Sequence, residues 1–102
     1  MPRQIDNTTW IWTIVMDPEK EAQILGQNDT RDDISFIPAF LNKEDAQQGL
    51  IQLHCERGRK YEPQAMLYED LLRYALDSQF LIYLLDGDGK ILDILPTQYD
   101  DR

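Results

Sequence analysis

The stretch FLIYLLDGDGKILDILP, residues 80–96, decides the fold. Two apolar runs flank Gly87, Asp88 and Gly89. A tight hairpin needs residues that tolerate positive φ at its tip, and glycine and aspartate supply them. FLIYLLD (80–86) is apolar on both faces and is predicted as a central strand. KILDILP (90–96) pairs with it, and Pro96 ends it. Asp86, Asp88 and the glycines also resemble the opening of a calcium loop. An EF-hand loop starting at Asp86 needs an oxygen ligand at its fifth position, a glycine at its sixth and a glutamate at its twelfth. Those positions hold Lys90, Ile91 and Thr97. The turn explains the residues better, and no calcium site is expected.

Upstream, YEDLLRYALDS places Tyr68, Leu71, Leu72 and Ala75 at helical spacing, which predicts a helix over 67–78. KYEPQAML (60–67) before it reads either as an edge strand interrupted at Pro63 or as the lead into that helix. KEDAQQGLIQLHCE predicts a second main helix, 43–56, capped by Asn42, with Ala46, Leu50 and Leu53 on one face. Acids in its first turn suit the helix dipole, and Gly58 is the expected terminator. ISFIPAFL (34–41) reads as a strand whose Pro38 points to a sheet edge or a bulge. WIWTIVM (10–16) is rich in β-branched and aromatic residues and reads as another strand. Between these strands, DPEKEAQILG suggests a short helix capped by Asp17 and stopped at Gly26, and QNDTRDD (27–33) a polar loop. The expected organisation is a flexible arm over 1–9, one domain over 10–96 and a tail over 97–102.

Composition narrows the function. The chain has 102 residues, enough for one core without a metal or disulfide. Ten basic residues against nineteen acidic ones leave a net charge of −9. That field repels nucleic acid and anionic lipid, so neither is an expected partner. The single cysteine, Cys55, forms no intrachain disulfide. No apolar run approaches a membrane span, and the start carries no signal-type segment. A cytoplasmic protein is expected.

The candidate chemistry is sparse. His54 adjoins Cys55, but neighbouring helical residues point about 100° apart and so do not face each other. A helix-end histidine beside an ordinary thiol is the reading preferred to a nucleophile. RGRK (57–60) holds three cations that can grip a phosphate or an acidic peptide; as cations at a helix C-terminus they also have an electrostatic reason to be there. Neither G-x-x-x-x-G-K-[ST] nor G-x-G-x-x-G is present. Carboxylates abound, and no spacing singles out a catalytic pair. No cofactor or metal is expected.

FIPAFLNKEDAQQGL, MLYEDLLRYALDS and FLIYLLDGDGKIL together resemble the N-terminal domain of the enhanced-serine-sensitivity protein SseB and similar small bacterial domains of unknown function. The resemblance spans about 40 residues. It implies a compact α/β domain and carries over no site residue. The Trp-rich start has no counterpart in that pattern.

The expected fold is α/β (α+β): a single mixed β-sheet of four to five strands with the two main helices on one face. The expected function is a non-enzymatic binding or protein-interaction module, the alternative being a small enzyme or subunit that uses surface carboxylates. Trp10, Trp12, Arg57, Arg59 and Lys60 form the candidate interaction surface. Two helices cover about four strands on one face. Strands apolar on both sides then leave an exposed patch, which implies a homodimer or a protein partner. The short helix or the N-terminal arm is the other candidate cover.

Overall fold

The structure is a computed structural model and describes residues 5–31, 33–53 and 55–95. Residues 1–4, His54, Pro96 and the expected tail lie outside the described residues. The elements run β1 (Trp10–Met16), β2 (Gln23–Ile24), β3 (Gln27–Asp29), β4 (Ile34–Phe40), α1 (Lys43–Leu50), β5 (Tyr61–Leu67), α2 (Tyr68–Ser78), β6 (Leu81–Leu85) and β7 (Ile91–Leu95). One mixed sheet holds seven strands rather than four to five. β5 flanks β1 from Trp10 opposite Leu67 to Met16 opposite Tyr61, so residues 61–67 resolve to a strand and Lys60 to the loop before it. On the other side of β1 the sheet continues through β4, parallel β6 and antiparallel β7.

The extra strands trace to Pro38. The β1–β4 pairing sets Trp12 opposite Phe40 and Thr13 opposite Ala39. Its continuation would set Ile14 opposite Pro38, which has no N–H to donate. The Ile14 carbonyl instead accepts from the Leu25 amide at 2.7 Å. The strands part here, and residues 23–29 fill the gap. β2 pairs with the end of β1, and β3 with the start of β4. Pro38 is therefore buried inside the sheet at an interruption of its ladder, not at an edge. The short helix expected after Asp17 is a turn followed by β2. Asp17 adopts φ +50°, which stops helical propagation at once. The expected loop over 27–33 begins as β3 for the same reason.

The helices are also placed differently from expectation. Ile11, Ile37, Ala39, Ile82 and Leu84 pack with Tyr68, Leu71 and Ala75 of α2. Ile14, Phe40, Tyr83 and Leu85 pack with Ala46 of α1, and Leu50 joins them. Successive strand residues point to opposite faces, so α1 and α2 stand on opposite faces of the sheet and not on one. α1 also ends at Leu50 rather than residue 56, and bonds from Ile51, Gln52 and Leu53 to the third residue back tighten its exit. At its start the Asn42 side chain accepts from the Asp45 amide at 2.8 Å.

α2 has no side-chain cap at Leu67. The chain before β1 supplies acceptors instead: Thr9 O takes the Tyr68 amide at 2.8 Å, and Asn7 O the Glu69 amide at 3.3 Å. Asp6 holds that segment in shape, its carboxylate accepting from the amide and hydroxyl of Thr8. These bonds lower the Asp6 pKa, so its contribution is present above the ordinary carboxylate range and lost on acidification. At the other end Gln79 sits at φ +63°, with the Phe80 amide bonded to Ala75 O at 2.8 Å. A side chain resists that conformation, whereas glycine adopts it freely. Gln79→Gly is expected to raise stability by up to about 1 kcal/mol, read as a higher urea midpoint with an unchanged slope. A lower midpoint would contradict the left-handed cap.

Candidate functional site

α1 lies over β5, β1 and β4. Beside it the same face opens into a groove of about 490 Å³ that runs from β3 past Phe36 of β4 and Tyr83 and Leu85 of β6 to Ile91 of β7. Phe36 and Tyr83 lie in its floor, their rings stacked at 4.1 Å between centroids and 11° between planes. Leu85, Ile91 and Leu53 extend the apolar lining. The β6–β7 ladder carries a register shift beside Leu84 and Leu85. It sets Ile91 opposite Leu85 and Ile94 opposite Tyr83. Residues three apart in a regular strand face opposite ways, so the irregularity brings both isoleucines to the groove side. They are 47 % and 43 % exposed.

The rest of the lining is mainly neutral and polar: Gln27, Asn28, Thr30 and Gln52. Carboxamides both donate and accept, which suits a polypeptide backbone. Asp29 and Arg31 also line the groove, 3.9 Å apart, and Asp29 accepts from the Arg31 amide at 3.2 Å. β3 carries the upper part of this rim, because the Pro38 gap admits it to the sheet.

The hairpin closes one end. Asp86 Oδ1 accepts from the Asp88 and Lys90 amides, each at 2.9 Å, and Gly89 takes φ +85°. Asp88 in turn accepts from Gln48 of α1 at 3.1 Å. Both aspartates thus serve the turn and its seat on the helix. Among the described residues no group of three His, Cys, Asp or Glu side chains is arranged to hold a metal ion.

The residues singled out from sequence do not converge. Trp10 and Lys60 lie at opposite ends of the β1–β5 pair, roughly 20 Å apart along seven residues. Trp10 is exposed, whereas Trp12 packs on the α1-side core. RGRK is not at a helix end but in the loop before β5. Arg59 bridges Asp17 and Glu56, each at 2.7 Å, and Lys60 approaches Glu19 at 3.7 Å. The Lys60 amide also donates to Asp17 at 3.2 Å. The bond to Glu56 and the charges of Asp17 and Glu56 raise the Arg59 pKa. Arg59 and Lys60 thus fasten the 56–60 loop to the turn after β1, and Arg57 lies exposed in the same loop. Cys55 is exposed, and partial desolvation raises its pKa, the opposite of an activated thiolate.

Sequence reasoning missed the groove because Phe36, Tyr83 and Leu85 look like ordinary strand core. A short strand with isoleucines at 91 and 94 was the one available signal, and only an irregularity turns it into a patch. No helix among the described residues is long and apolar enough to cross a membrane. Compared with known proteins, the chain matches no family model, no curated protein and no solved structure.

Proposed function

We propose that the chain is a protein-interaction module whose working surface is the α1-face groove, in place of the surface formed by Trp10, Trp12, Arg57, Arg59 and Lys60. One observation carries this: Ile91 and Ile94 stand on the groove side, each nearly half exposed, beside Tyr83 and Leu85. Contiguous exposed apolar side chains rimmed by polar ones mark interaction sites, whereas isolated ones need no explanation. The lining fits binding better than catalysis. Its one carboxylate, Asp29, is held by its own loop. The likeness to the SseB N-terminal domain and a cytoplasmic location belong to the same proposal.

The test is a methyl-resolved NMR titration with acetyl-Leu-Tyr-amide, which presents two apolar side chains on a short backbone. Leu53, Leu85 and Ile91 methyl signals are expected to shift saturably in the millimolar range, and Leu76 on α2 to stay fixed. Movement confined to other sites, or none, would overturn the reading.

A further inference from the structure

We infer that a basic amphipathic helix from a partner protein docks at the groove, laid along the exposed isoleucines of β7. This rests on the groove being an interaction surface and adds the form and charge of the partner.

The first argument is the shape of the exposed strip. Tyr83 and Leu85 of β6 are buried at the groove floor, and the exposed side chains are Ile91 and Ile94 of β7. β7 has five residues and runs about 17 Å, the length of an eleven-residue helix. On the opposite face Leu92 and Leu95 of β7 pack into the α2 core. On the groove face Ile91 and Ile94 have no helix above them, since α1 covers β5, β1 and β4. A three-turn helix with an i, i+3, i+4, i+7 apolar stripe would cover Ile91 and Ile94 together.

The second argument excludes an added strand. Sheet edges are blunted by bulges, prolines and charges. The β7 ladder is irregular beside Leu85, and the Ile94 amide already donates to the Asp93 carboxylate at 2.9 Å. The far edge, β5, carries Pro63 and an exposed Glu62. Both edges are unsuited to pairing, while the face is open.

The third argument is charge. The chain carries −9. At the hairpin end of the groove, Asp45 approaches Gly87 and lies near Asp86 and Asp88, with Lys90 as the nearby cation in the turn, while at the other end Arg31 stands against Asp29. Two such chains repel each other, whereas a helix with Lys or Arg beside its apolar stripe is attracted. The same charge disfavours the homodimer expected from sequence.

The experiment compares two designed helices of about 18 residues, a length that supports helicity. One repeats leucine and lysine in an amphipathic pattern; the other has glutamate for lysine. The lysine helix is expected to bind, shifting Leu85, Ile91 and Ile94 methyl signals, and the glutamate helix to bind at least tenfold more weakly. Ile94→Asp is expected to weaken the lysine helix at least tenfold even though it adds an attracting charge. Ile94→Ser serves as an uncharged second variant, and Leu76→Asp on the exposed face of α2 is expected to change nothing. Equal binding to wild type and Ile94→Asp would mean attraction without a groove and would overturn the inference. So would a wild-type dimer that Ile94→Asp converts to monomer, which would give the face to a second copy. If acetyl-Leu-Tyr-amide moves the groove methyls and neither helix binds, the helix inference falls and the interaction surface stands. If the dipeptide also fails, both fall.

Discussion

Phe40→Ala is expected to lower the free energy of unfolding by about 3–5 kcal/mol. Phe40 is fully buried at the end of β4, among the largest side chains without solvent exposure. It packs with Ile14 and Tyr83 of the sheet and Ala46 of α1, so its ring joins helix to sheet on that face. Removing it costs the transfer of the ring and leaves a cavity that a short helix cannot close by itself. Domains of this size have about 5–15 kcal/mol in total, so the variant loses a large share of its stability. The melting temperature should fall by at least about 12 °C, at roughly 4 °C or more per kcal/mol. A fall of only a few degrees would mean that α1 is not seated on Phe40.

Gly49→Ala is expected to destabilise the chain by about 1–3 kcal/mol, although alanine is the better helix former. Gly49 is buried inside α1. A Cβ there would overlap the Phe40 ring edge, with Cζ only 2.6 Å away. The gain in helix propensity is about 1 kcal/mol. The overlap outweighs it, because a fully buried ring in a packed core cannot swing aside. Glycine therefore serves here to let the helix approach the sheet. The two sites are in contact, so their effects should not add. Phe40→Leu combined with Gly49→Ala should unfold at a higher urea concentration than the sum of the two single changes implies. A Gly49→Ala variant more stable than wild type would show that α1 stands off the sheet.

What the sequence made legible was local. The hairpin around Gly87 and Gly89, β1, β4 and α2 each follow from a few neighbouring residues with the right period or turn chemistry. β2 and β3 were not legible, because they exist only where Pro38 withholds an amide from β1, a contact about 24 residues distant in sequence. The end of α1 was misread because Leu53 continues the apolar spacing of Ala46 and Leu50, yet packs on the same core after the helix has ended. The side taken by each helix was hidden for a simpler reason. β1 and β6 carry large apolar residues on both faces, so their pattern is unchanged when a helix moves from one face to the other. The exposed patch expected from strands apolar on both faces was not assigned to a face, and on the α1 face Tyr83 and Leu85 are buried, leaving Ile91 and Ile94 of β7 exposed. The site's outer part was out of reach, since alternation places Ile91 and Ile94 on opposite faces and the β6–β7 irregularity reverses that.

The exposure of those two isoleucines is the point on which the proposed surface depends. The direct measurement is methyl relaxation by a soluble nitroxide, recorded on the chain alone and again with the leucine–lysine helix. In the chain alone, Ile91 and Ile94 methyls should relax as strongly as Leu76, and Leu84 in the core should not respond. With the helix bound, Ile91 and Ile94 should become protected while Leu76 stays exposed. Protection of Ile91 and Ile94 already in the isolated monomer would contradict the proposed surface, because the chain would then cover that face itself.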